Sequence, residues 1–295
     1  MTVTECQHPA PNQFQLFISK CGNDPVTFES LFDTSKSCMA SNPSFREWQF
    51  DETLENILRA EKGLIHYEDP RNNISLLARP PKHICELISD IQQEIASVAG
   101  PCLWLSPQTY LHMTTSELIN AKTRPEVDEA MGIFQQKLAI EEIVNYTLTH
   151  SPRLVRPIIS YDDTAIALSF IPAAEMEIDR YTYHHLRRDL WDLVSESGCQ
   201  LNARYNVPSA HVTIARFVMP PGVDKLKEVD SLCSRTVEII EKIEDINQEL
   251  RSGDWKRFGS TSRGVWVVGQ EQGMELNQGR SWYGKGEVIL TGEGI

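Results

Sequence analysis

Two short strings in this chain, Leu111-His112-Met113-Thr114 and Ala210-His211-Val212-Thr213, repeat the pattern apolar-His-apolar-Thr. They are the only places where any of the 8 histidines is followed two positions later by Thr or Ser. In an extended strand, residues i and i+2 point to the same side, about 6.5–7 Å apart. Each string therefore sets an imidazole and a hydroxyl side by side on one face, while Met113 or Val212 turns to the core. Two such faces opposed across a cleft supply two acid/base groups and two hydroxyl donors.

The surroundings of the two strings are alike. A strand over 74–78 leads to a helix whose apolar positions Ile84, Leu87, Ile88, Ile91, Ile95 and Val98 follow helical spacing and stop at Gly100. The strand Cys102-Leu103-Trp104-Leu105 follows, Ser106-Pro107 leads into the first string, and a helix over 125–146 closes this half. The second half has strands over 154–160 and 164–170 about the turn Asp162-Asp163, and a helix over 179–197 ending at Gly198. The second string then opens 210–217, and a long helix through Val229, Ile239, Ile243 and Leu250 leads to strands at 265–268 and 288–290. The pattern predicts an α+β fold over 71–295: bilobal, two pseudo-symmetric lobes of antiparallel sheet with outer helices around a central cleft.

Residues 1–70 read as an N-terminal extension of turn-rich pieces with a helix over 51–62, Leu54, Ile57 and Leu58 on one side. Phe14, Phe17, Phe28, Phe32, Trp48 and Phe50 are costly to leave in water, so the extension is expected to pack as a cap.

Histidine, with an ordinary pKa near ~6.5, suits both halves of a proton relay at neutral pH. A step that removes a proton on one side of a reacting centre and delivers one on the other needs two such groups. His112 and His211 are the candidate base and acid, and the pattern does not say which is which. Thr114 and Thr213 are the candidate hydroxyl donors to an oxyanion, such as phosphate, held between them.

The paired strings resemble the 2H phosphoesterase superfamily, named for its two His-x-Thr/Ser motifs, which includes RNA 2',3'-cyclic phosphodiesterases, 2'-5' RNA ligase-like proteins and cyclic nucleotide phosphodiesterases. The resemblance spans residues 73–291, with His112 and His211 standing 99 residues apart. Ile214 supplies the apolar fourth place that the family favours, whereas the first string has Thr115 there. The resemblance implies a bilobal fold and a phosphoric diester hydrolase that needs no metal and no cofactor. In agreement, the sequence has no His-Glu-x-x-His and no cluster with metal-ligand spacing. Gly279-Arg280-Ser281-Trp282-Tyr283-Gly284 resembles the Gly-x-x-aromatic region near the C-terminal end of family members, which offers Tyr283 as a pocket residue; its other reading is a hairpin aromatic.

Three further positions carry two readings each. Tyr110, two residues before His112, shares its face in a regular strand, as a ring against the substrate or as a core or rim residue. Arg216, five after His211, falls on the opposite face of a regular strand and reads as a surface or interlobe ion pair. His184-His185 with Arg187-Arg188 look like a phosphate patch, but Leu186, Leu190 and Leu193 assign these charges to the solvated face of a helix.

Composition limits the partner. A net charge of -13 and a pI near 5.1 argue against extended nucleic acid, which is held by basic surfaces. A small phosphate-bearing substrate or a single RNA end in a neutral to basic cleft remains compatible. No run of 18 apolar residues exists, so no membrane partner is expected. Met1-Thr2-Val3-Thr4-Glu5-Cys6 lacks the basic start and apolar block of a signal peptide. The 7 scattered cysteines form no Cys-x-x-Cys. An intracellular protein, cytoplasmic or nuclear, is expected. The alternative function is a small-metabolite isomerase, cyclase or lyase that uses the same two-histidine cleft for proton transfer, and oligomeric state is not encoded in any pattern read here.

Overall fold

Both His-x-Thr strings meet antiparallel strands, and the strands belong to two different sheets. The structure of the protein, a computed structural model, describes residues 12–24, 26–27, 30–31, 48–173, 175, 178–199, 201–202, 210–219, 225–284 and 286–295. Phe28 and Phe32 lie outside the described residues.

One sheet holds β1 (Asn72–Ala78), β3 (Met113–Lys122), β8 (Glu275–Gly279) and β9 (Glu287–Thr291) in the order β3-β1-β8-β9. The other holds β2 (Leu103–Leu105), β4 (Arg153–Tyr161), β5 (Ala165–Pro172), β6 (Ala210–Phe217) and β7 (Trp266–Val267) in the order β2-β6-β5-β4-β7. Every pair is antiparallel, so the protein is mixed α+β with two antiparallel sheets. The first His-x-Thr string feeds β3 and the second lies in β6.

The helices are α1 (Gln13–Cys21), α2 (Glu52–Glu61), α3 (Lys82–Ala99), α4 (Arg124–Lys137), α5 (Ile140–Val144), α6 (Tyr183–Glu196) and α7 (Lys225–Ser252). In α3 the predicted stripe is buried, with Ile84, Leu87, Ile88, Ile91 and Ile95 all inaccessible. The helix stops at Gly100, whose φ of 72° suits a residue without Cβ. One continuous core joins α3 to Leu76 of β1, Leu118 of β3, Phe170 of β5 and Val212 of β6. Among the described residues, no helix is long and apolar enough to cross a membrane.

Three elements depart from the sequence expectation. The helix expected over 125–146 breaks at Leu138, whose φ of −102° and ψ of 139° are extended. The break turns α5 against β8 and β9, where the Val144 carbonyl accepts the Met274 N–H at 2.9 Å. The helix expected over 179–197 starts only at Tyr183, because Thr182 caps it through His185 while Asp179 is held by Arg153.

On this helix Leu186 and Leu190 are buried as expected, but His184 and Arg187 are fully buried with them and Leu193 is exposed, so only His185 and Arg188 keep to the partly exposed side. The third departure is β8, a polar strand with no alternating apolar pattern that is nevertheless buried throughout. Two of its side chains find polar partners inside: Arg79 pairs with Glu275 and Gln278 donates to Asp128 at 2.6 Å.

The N-terminal segment packs where it is described. Phe14 is buried on α1, Leu54 on α2, and Trp48 stacks on Phe217 with centroids 4.4 Å apart. Gln49 and Asp51 donate their N–H groups to the carbonyls of Asp163, in the turn between β4 and β5, and Phe217, the last residue of β6.

Each cavity-facing strand also carries a bulge. Thr115 in β3 and Ile214 in β6 have no opposite residue, since β1 pairs Leu77 with Thr114 and Leu76 with Ser116, and β5 pairs Ala167 with Thr213 and Ile166 with Ala215. The carbonyls freed there are claimed by buried side chains. Arg187 Nε donates to the Thr115 carbonyl at 3.0 Å, and Gln92 Nε2 donates to the Ile214 carbonyl at 2.7 Å and to that of Ser106 at 2.9 Å. Replacing Gln92 with Leu removes both of its bonds in a buried site, and urea unfolding should show a loss of about 1–3 kcal/mol. An unchanged midpoint would mean that the β6 bulge does not depend on Gln92.

Candidate active site

The two bulges decide which side chains share a wall. Beyond Thr114 the extra residue resets the alternation, so Thr114 and Glu117 face the same way although three positions apart. Beyond Thr213 the same displacement brings Arg216 to the face of His211 and Thr213. His112, Thr114, His211, Thr213 and Arg216 all line one cavity of about 490 Å³. The opposite-face reading of Arg216 is thus overturned, because β6 is not regular. Glu117 and Arg216 each stand five residues after a motif histidine, a repeated spacing that was visible in the sequence.

Thr115, the odd residue of the first string, is buried inside the bulge, where its hydroxyl donates to the Leu76 carbonyl at 2.8 Å. A threonine fits a place the family resemblance would fill with an apolar residue because a backbone acceptor lies within reach.

His112 sits one residue ahead of β3, after a 3-10 turn over Gln108–Tyr110. Tyr110 is therefore not on the strand face with His112, and the cavity wall is formed without it. It packs instead over Gly284, where an added Cβ would collide with the Tyr110 Cβ and Cγ. Its backbone still serves the histidine, for Nδ1 of His112 lies 2.8 Å from the Tyr110 carbonyl. A carbonyl only accepts, so Nδ1 carries the hydrogen and Nε2 is left for the cavity. Arg79 fixes the turn by donating to the carbonyls of Thr109 and Leu111 while paired to Glu275.

Burial disfavours the imidazolium at both positions. It lowers the pKa of His112, with the Tyr110 carbonyl opposing the shift. His211 is pushed down to about 4, first by burial, then by Arg187 and His112. His184, buried on α6, goes down to about 3 for the same leading reason. Both motif histidines are therefore neutral at pH 7.

Tyr283 lies in a 3-10 turn, Ser281–Tyr283, between β8 and β9 and also lines the cavity. Its hydroxyl donates to Asp51 at 3.0 Å, and the same carboxylate pairs with Arg216 at 3.0 Å. Arg71 lies over the Trp282 ring at 4.1 Å and is held from behind by both oxygens of Asp69.

Sequence reasoning missed Asp51, Arg71, Glu117 and Trp282. Of these Glu117 had the repeated spacing as a signal, and Asp51 stood at the start of a predicted helix, where Asp is a favoured cap. The lining is mixed rather than neutral to basic, with Asp51, Glu52 and Glu117 among Arg71 and Arg216. Among the described residues, no three His, Cys, Asp or Glu side chains gather to hold a metal ion.

No family model matches the chain, and no curated protein matches it. Among solved structures, a conserved protein of unknown function from Agrobacterium tumefaciens is similar, at 11% identity over 75% of this chain and 86% of that one, with a TM-score of 0.45.

The depressed histidines give the fold a pH dependence. Their unfolded pKa lies near 6.5 and their folded values below it, so the unfolded chain binds more protons across that interval and stability falls as pH drops from about 6.5 toward 4. Urea unfolding of His184→Phe at pH 7.5, 6 and 5 should show a shallower decline than the parent. Equal slopes would mean that burial of His184 does not couple to protonation.

Proposed function

We propose that this cavity is the active site of a phosphodiesterase that uses His112 and His211 as general acid and base on a cyclic phosphate or a short oligonucleotide end, without a metal or cofactor. The observation that carries the reading is that both His-Thr pairs, from strands of different sheets, line the same cavity together with Arg216. In this reading the two sheets are the two halves of a pseudo-symmetric bilobal scaffold of the 2H phosphoesterase kind, which the matched bulges after Thr114 and Thr213 support. The described part of the N-terminal extension acts as a cap that brings Asp51 to the cavity.

In the hydrolytic direction one histidine takes a proton from water as the oxygen forms its bond to phosphorus. The other gives a proton to the alkoxide as the opposite P–O bond breaks. Thr114, Thr213 and Arg216 donate to the non-bridging oxygens, where charge gathers in the transition state. Nε2 of His112 suits either role, since the hydrogen bond to Tyr110 holds the ring while its outer nitrogen gains or loses the proton. An anionic substrate favours the imidazolium, so binding itself raises both histidines from their depressed values.

A panel of nucleoside 2',3'-cyclic phosphates tests the reading. His112→Ala and His211→Ala should each lower kcat by about 10²–10⁴-fold in a folded protein, and the double variant should lose little more. Thr114→Val and Thr213→Val should lose about 10²–10³-fold at most, and chelators should change nothing. Full turnover by either histidine variant would sink the mechanism, and no turnover of any cyclic phosphate by the parent would favour proton transfer on a small metabolite, the isomerase, cyclase or lyase reading.

The pH profile carries a separate sign. Because both pKa values are lowered in the free protein, kcat/KM should peak on the acid side of 6.5, while the kcat profile, which reports the substrate complex, should sit at higher pH. A kcat/KM maximum well above pH 7 would contradict the depressed values.

A further inference from the structure

Asp51 reaches the cavity from outside both sheets, at the N-terminus of α2. Three donors of different kinds converge on its carboxylate: Arg216 Nη1 at 3.0 Å, the Tyr283 hydroxyl at 3.0 and 3.2 Å, and the Leu54 N–H at 3.0 Å. A guanidinium, a hydroxyl and a helix-terminal amide are also the groups that would hold a phosphate oxygen. Here they hold the chain's own carboxylate, only 10% exposed. Arg216 shares its wall with His211 and Thr213, so a cation on the acid/base wall is already matched before any substrate enters.

We infer that Asp51 is a specificity-determining residue that sets the charge the cavity retains: a phosphodiester with one negative charge is accepted, and a phosphomonoester with two is turned away. The inference rests on the phosphodiesterase reading of this cavity. Its consequence for turnover is directional. Opening a cyclic diester with water leaves a monoester carrying about −1.5 to −2 charges at neutral pH. The carboxylate that tolerates the substrate therefore repels the product. Coulomb energy is linear in ligand charge, so one fixed charge acts about twice as strongly, in free energy, on the dianion as on the monoanion.

Asp51→Asn removes the charge at constant size. Its single amide oxygen, in the place of Oδ1, keeps the cap on the Leu54 N–H and the bond from the Tyr283 hydroxyl, and the Arg216 bond to Oδ2 is lost with the charge. At pH 8 we would compare the KM of a nucleoside 2',3'-cyclic phosphate with the inhibition constants of its 2'- and 3'-monophosphates in parent and variant. If the cyclic phosphate binds about threefold more tightly in the variant, the monophosphates should gain about the square of that, roughly tenfold.

Equal gains, no change, or weaker binding of both ligands would overturn the proposal and leave Asp51 as a positioning residue for Arg216. Failure of the phosphodiesterase reading looks different: the parent turns over no cyclic phosphate, and calorimetry with the same two ligands still reports whether the single and double charge are discriminated. Binding of neither ligand to either protein overturns both.

Discussion

An extra residue immediately after a threonine, once in β3 and once in β6, changes the parity of the strand and brings Glu117 and Arg216 to the cavity. A bulge of this kind holds only if the polar backbone groups it displaces from the ladder find other partners. The carbonyl of each bulge residue does. Arg187 claims the Thr115 carbonyl, and the Ile214 carbonyl takes the Gln92 amide and the Ser106 N–H. Two buried polar side chains on helices outside the sheets thus bear on which residues line the cavity.

Most of the fold could be read from the chain because its elements obey one period at a time. The stripe of α3, the helix at 52–61 and the strands at 153–161 and 165–172 each have a buried face and an abrupt end. What escaped was of a different kind. β8 is polar because its partners are Arg79 and Asp128 rather than apolar neighbours. The break at Leu138 has no proline or glycine to announce it, since a contact of α5 with the last strands decides it. The buried faces of His184 and Arg187 depend on α1 and β3, elements distant in sequence.

The site was legible to the same extent. The four residues of the two His-Thr pairs and Tyr283 were named from the sequence, and all five line the cavity. Strand alternation misplaces Tyr110 and Arg216 for one reason: it fails there, before β3 begins and across the β6 bulge, although Arg216 does form the ion pair expected of it. Period-two reasoning locates the motif itself, where i and i+2 suffice, and loses its footing within a few residues on either side. Asp51 belongs to a segment that sequence pattern sets apart from the body at about residue 70, yet its backbone bonds to the last residue of β6 and its side chain lines the cavity.

The buried guanidinium of Arg187 has a reach that local description understates. It holds the β3 bulge through Thr115, its charge disfavours protonation of His211, and its head lies 4.2 Å from the centre of the Phe14 ring on α1. Phe14 thus packs on the same cation that biases a histidine almost two hundred positions away. Substitutions at these two positions should not combine additively, so that a helix lining no part of the cavity is energetically tied to a histidine that does.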